Sequence, residues 1–159
     1  MKQLLTILLL LFSLQSDLIS DDWPQFLGIN RNGKSTEKGL IQKLPSGGLK
    51  DNWRVKLGEG MSGISVVGQK MITMYQDDEN QYVVCLSTKD GSKLWETAVA
   101  PRYQNSMGHG PRATPTIADN KVYSFSGEGV LTSLTLEKGE ILWSKNPQEK
   151  INGKPAEYG

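Results

Sequence analysis

The side chains best able to do chemistry in this 159-residue chain gather in one segment. The stretch Pro101-Arg102-Tyr103-Gln104-Asn105-Ser106-Met107-Gly108-His109-Gly110-Pro111-Arg112 holds two guanidinium groups, a phenol and the sequence's single histidine. Arg102, Tyr103, His109 and Arg112 together would offer a cationic, aromatic surface to an anionic or quinone-like ligand. A competing reading makes Gly108 to Pro115 a rigid turn in which Arg112 satisfies backbone carbonyls. His109 has no second histidine to join it in a histidine-based metal site. The sequence gives it no evident Ser, Cys or Asp partner for general-base or nucleophilic work either, so no catalytic residue is assigned.

Three other groups of residues read as structure. Asp77, Asp78 and Glu79 lack the alternating ligands and central Gly of a calcium loop, so they form a solvated turn and no metal site is expected. Cys85, beside Val83 and Val84, reads as a small buried hydrophobe and not as a reactive thiol. Gly127-Glu128-Gly129 is flanked by strands on both sides with no helix behind it, which marks a hairpin turn and not a phosphate loop.

Composition narrows the function classes. With 18 Lys+Arg against 17 Asp+Glu the formal charge is +1, so no basic surplus exists to neutralise phosphates and no nucleic-acid partner is expected. Seventeen glycines favour a turn-rich, all-β architecture. Met1-Lys2 and the 11-residue run Leu4 to Leu14 read as a secretory signal peptide over residues 1–20, with small residues at Ser16 and Ser20 as cleavage points. The run is too short to span a bilayer, which needs about 20 apolar residues. The product is then exported to the periplasm or outside the cell, with no membrane span left after cleavage. Because Cys85 is the one cysteine, no intrachain disulfide can brace it.

The elements that position these side chains come as a repeat. Cys85-Leu86-Ser87-Thr88-Lys89-Asp90-Gly91-Ser92-Lys93-Leu94-Trp95 aligns with Ser133-Leu134-Thr135-Leu136-Glu137-Lys138-Gly139-Glu140-Ile141-Leu142-Trp143. Upstream, Ser65 to Ile72 aligns with Thr116 to Tyr123. Trp53, Trp95 and Trp143 are 42 and 48 residues apart, a period typical of propeller blades or solenoid units. After an extended segment over 21–50, a first strand is expected at 52–57. Four strands follow near 61–67, 70–75, 81–87 and 92–98, then four more near 113–118, 121–126, 129–135 and 140–145. Four short strands per repeat fit a propeller blade.

These strings resemble the PQQ-like (pyrroloquinoline-quinone-like) β-propeller repeat of the quinoprotein alcohol dehydrogenase-like superfamily, whose pattern is roughly A-L-D-x-x-T-G-x-x-x-W. The opening Asp22-Trp23-Pro24-Gln25-Phe26-Leu27-Gly28, followed by Asn30-Arg31-Asn32-Gly33, resembles the start of secreted bacterial members. Ser87 and Thr135 stand where the pattern has Asp, and Asp90 and Lys138 where it has Thr, which marks degenerate repeats. The resemblance implies that Trp95 and Trp143 dock between neighbouring blades beside the turn glycines Gly91 and Gly139. It also implies that Trp53 belongs to an outer strand lent by the N-terminus to close a ring. The expected architecture is a partial β-propeller: blades near 58–99 and 112–146, an N-terminal closing strand, and the start of a truncated third blade within 51–159. Propellers have four to eight blades, and a seven- or eight-blade ring needs roughly 300 to 400 residues, so the chain reads as an N-terminal fragment. Assembly of several short chains into one ring is the alternative.

Within a blade, the 76–80 hairpin and the 101–112 crossover leave the sheet on the same face, where a protein or small-molecule partner would bind. The first function class is therefore a non-catalytic binding or scaffold module of the envelope. A PQQ-dependent dehydrogenase is the second, although its vicinal Cys pair and calcium ligands are not found; PQQ enters by family resemblance alone, and no cofactor is expected. A propeller of outer-membrane protein assembly is the third, against which the missing lipid-acceptor Cys counts. Fold resemblance by itself does not license an activity. The fragment reading predicts that the chain from Asp21 onward, produced alone, is poorly soluble or oligomeric, because two blades leave flat faces exposed. A monodisperse, cooperatively unfolding monomer in light scattering and thermal melts contradicts it.

Overall fold

The computed structural model describes residues 21–150 and 153; the signal segment expected over 1–20 lies outside the described residues. Among the described residues, eight strands form two separate four-stranded antiparallel sheets. Strands β1 (Ser65–Val67), β2 (Lys70–Gln76), β3 (Asn80–Ser87) and β4 (Lys93–Pro101) lie in that order in the first. Strands β5 (Thr116–Ala118), β6 (Lys121–Phe125), β7 (Leu131–Thr135) and β8 (Ile141–Lys145) repeat the order in the second, and one helical turn, α1 (Pro147–Lys150), follows. Each sheet is a simple meander, as expected of a propeller blade.

Turn chemistry sets the register. Asp119 and Asn120 both take positive φ, 50° and 57°, the combination that a tight two-residue hairpin needs and that Asp and Asn tolerate best. Between the third and fourth strands, Gly91 donates its N–H to Ser87 O and Gly139 donates to Thr135 O, both at 2.9 Å. Each of these glycines sits at φ near 70°, so the two blades use one turn design despite their different sequences.

The core lies between the blades. In the register of the first sheet, Ile72 faces Cys85 and Cys85 faces Trp95, while Met74 faces Val83, which puts all five on one surface. Ile117, Val122 and Leu134 form a row on the second sheet, on the face opposite to that of Tyr123, Ser133 and Trp143, which are the repeat equivalents of Ile72, Cys85 and Trp95. The two rows pack into one buried cluster, with Val67, Val99 and Leu136 at its margin. Blade-on-blade burial is thus the main apolar contact, with about 1.5–3 kcal/mol for each fully buried large side chain. Burial also pushes the Cys85 thiol up to about 11, so it is packed as a hydrophobe.

Two features differ from the sequence reading. Residues 52–57 form no strand; Trp53 instead lies against the Thr88–Gly91 turn with its indole N–H donated to Thr88 O at 3.1 Å. The segment has no ladder partner among the described residues. Trp143, expected to be packed between blades, is 37% exposed, tilted against Tyr123 with the Lys145 ammonium 5.9 Å from its ring centroid. It occupies the place on the second blade that Trp95 holds on the first, on a face with no blade beyond it among the described residues. Ile141 and Leu142 are also exposed.

Leu134→Ala removes a fully buried side chain from the centre of this interface and is expected to cost about 2–5 kcal/mol, read as a lowered midpoint in urea or thermal unfolding. A loss below about 1 kcal/mol would mean that the blades do not rest on this cluster.

Candidate functional site

A meander sends alternate connections to opposite ends of the sheet, so the β2–β3 hairpin, the β4–β5 crossover and the β6–β7 turn emerge together. Asp77 shapes the first of them: its carboxylate accepts the N–H groups of Glu79 and Asn80, both at 2.8 Å, and the Tyr82 hydroxyl at 2.9 Å. Those backbone donors hold its carboxyl below the usual carboxylate range. Asp77 is therefore engaged in closing the turn.

The crossover is fastened to that hairpin at Arg102. Its N–H donates to Glu79 O at 2.8 Å, and its guanidinium reaches Asp78 at 2.6 Å and Glu59 at 3.1 Å. Tyr103 is buried, with its N–H on Gln76 Oε1 at 2.9 Å and its ring against Gly127, where a Cβ would collide. Asn105 Nδ2 donates to the Tyr103 hydroxyl at 2.9 Å. Arg112 donates to Gly108 O at 2.7 Å, and exposed His109 accepts the Asn105 N–H at Nδ1, 3.4 Å away. The four residues singled out from the sequence are thus brought into one loop system, and each is bonded within it.

Gln76 and Gln81 were the residues the sequence reading missed. They face each other across the β2–β3 hairpin and both are completely buried. Gln76 joins Glu59, at 3.2 Å, to Tyr103. Gln81 donates to Pro101 O and to the Glu128 carboxylate, both at 2.6 Å, and accepts the Gly127 N–H at 3.1 Å. One glutamine holds the crossover and its neighbour holds the next blade's turn. The available signal was a pair of uncharged polar residues at strand ends where alternation called for apolar ones.

The electrostatics differ from the cationic surface expected of this segment. Arg102 is paired with the Glu59 and Asp78 carboxylates, and the Glu128 carboxylate accepts a hydrogen bond from Gln81 at the neighbouring turn. Among the described residues no group of three or more His, Cys, Asp or Glu is placed to hold a metal ion.

A family model described as "Outer membrane protein assembly factor BamB" matches residues 38–156. No curated protein matches the chain. Among solved structures, BamB from Moraxella catarrhalis is similar at a TM-score of 0.45 and 14% identity, covering 58% of this chain and 26% of its own. A quinohemoprotein alcohol dehydrogenase, ADHIIG from Pseudomonas putida HK5, is similar at a TM-score of 0.45 and 21% identity, covering 59% of this chain and 14% of its own. The chain therefore spans a small part of either structure. Two blades of one turn design, stacked through a shared core and matched by that model over most of their length, place the chain in the PQQ-like propeller-repeat family of outer membrane protein assembly factor BamB.

Proposed function

We propose that these repeats serve as a non-catalytic binding or scaffold module outside the cytoplasm, and that the face bearing the 76–80 and 101–112 loops meets a protein partner. The observation that carries this reading is the commitment of the Arg102, Tyr103, His109 and Arg112 side chains to bonds inside the loop system. Side chains so employed fix the shape of a surface. Loops of fixed shape on a rigid sheet scaffold are a common way to build a recognition surface. Exposed Met107, at the tip of the crossover, adds an adaptable apolar contact to the carboxylate rim.

Site-specific photo-crosslinking in the exporting cell tests the reading. A photoreactive residue at Met107 is expected to give a discrete protein adduct, whereas one at Lys138, in the turn at the other end of the sheet, is not. Equal adducts at both positions, or none at Met107, contradict it.

The glutamine network generates a second prediction. Gln81→Leu keeps the volume roughly constant but strands the Gly127 N–H and the Pro101 carbonyl, at an expected cost of about 1–3 kcal/mol. It should also lower the crosslinking yield at Met107, because the crossover loses its anchor. Unchanged stability in a thermal melt would remove the network from the account.

A further inference from the structure

One cation of the loop face has no counter-charge in the described part of its own chain. Arg102 and Arg112 stand at the two ends of the crossover, and the Nε of each is buried without a hydrogen-bond partner. Arg102 meets Asp78 and Glu59 through its other nitrogens, at 2.6 and 3.1 Å. Arg112 pairs with no carboxylate among the described residues; its Nη2 donates to Gly108 O at 2.7 Å, and no other acceptor there meets it. The carbonyl aims the guanidinium but does not neutralise it. A half-buried charge without an opposite charge is unfavourable until an anion reaches it.

A methionine stands beside it. Met61 precedes Ser65 by the same interval as Arg112 precedes Thr116, so successive blades place these two side chains at equivalent positions. Backbone contacts hold the positions together. Met61 donates its N–H to Pro111 O at 2.9 Å, and a Cβ on Gly110 would stand 2.8 Å from Glu59 O. A Cβ on Gly108 would stand 2.7 Å from the Met61 methyl and 3.7 Å from Arg112 Nη2, so the thioether and the guanidinium flank one point of the backbone. Met61 is 52% exposed, and Met107, next to Gly108 in the chain, is 58% exposed.

We propose that the protein partner of this face presents an Asp or Glu carboxylate to Arg112, from a segment whose apolar residues lie on Met61 and Met107. The proposal rests on the protein-partner reading above and names the chemistry that the partner must carry. A planar guanidinium matches a carboxylate in shape, and charge-assisted bonds of this kind are about twice as strong as neutral ones. Glu59 and Asp78 belong to the same loop system, so a densely acidic ligand is repelled. A single carboxylate set among apolar residues matches one cation beside two thioethers. Met and Arg are both enriched where proteins meet, and methionine adapts its shape to what it touches.

Photo-crosslinking of the full chain from position 107, as above, tests this in two ways. The captured partner is digested and the attached peptide sequenced by mass spectrometry. An Asp or Glu is expected within about four residues of the attachment point, roughly 13 Å of extended chain. A captured segment with no acidic residue in that range overturns the proposal. Arg112→Gln, which keeps an amide donor but loses the charge, is expected to lower the adduct yield about tenfold at equal amounts of exported protein. Arg112→Lys, which keeps the charge, is expected to recover part of that yield. Equal yields with Arg112 and with Arg112→Gln, or no recovery with Arg112→Lys, overturn the pairing and leave the protein-partner reading standing. No adduct from position 107 with Arg112 intact overturns both. Where Arg112→Gln does not accumulate folded, the sequence of the attached peptide decides alone.

Discussion

The same contact joins each blade to the next: an indole laid on the turn of the following blade. Trp53 donates to Thr88 O and covers Gly91; Trp95 donates to Leu136 O, at 3.0 Å, and covers Gly139. In both cases the acceptor lies three residues before the glycine. The turn must be glycine twice over, because its φ is positive and because the ring occupies the space a Cβ would take. Thr97 adds a hydrogen bond to Gly139 O at 2.7 Å, so the fourth strand of one blade is fixed to the last turn of the next. That geometry brings the row from Ile72 to Trp95 down onto Ile117, Val122 and Leu134.

Polar groups hold the outer and inner ends of the same blade pair. At the loop face, Gln76 and Gln81 satisfy backbone groups of the crossover and of the next turn, which would otherwise be buried without partners. At the inner edges Ser65 donates to Pro115 O and Ser62 to Ala113 O, at 2.7 Å for the latter, so the inner strands are tied before the strap crosses them. Apolar packing supplies the main stabilisation between the sheets, and these bonds select one alignment. The loop face inherits its shape from that alignment.

Much of this was legible in the chain because its turns are written in residues with few alternatives. Asp119-Asn120, Gly91 and Gly139 mark hairpins by backbone conformation, and the tryptophans give the period. The strand positions follow to within a few residues. What could not be read was anything depending on partners distant in sequence. Arg102 reads as a free cation until Glu59, 43 residues away, and Asp78 are brought to it. The strand expected at 52–57 requires a neighbouring strand, which no described residue provides, and the exposure of Trp143 likewise depends on what stands next to its blade. Gln81 passes for one more polar strand residue, since its role exists only once Gly127 and Glu128 arrive from the second blade.

The most direct test of the account is the energetic coupling of one indole to its glycine. A double-mutant cycle of Trp95→Leu and Gly139→Ala, followed by chemical denaturation, measures it. If the ring and the turn form one unit, the second substitution costs far less once the first has been made, with a coupling of about 1–3 kcal/mol. Additive losses would mean that the indole and the turn stabilise the blades separately, and that the stacking rests on something other than this contact.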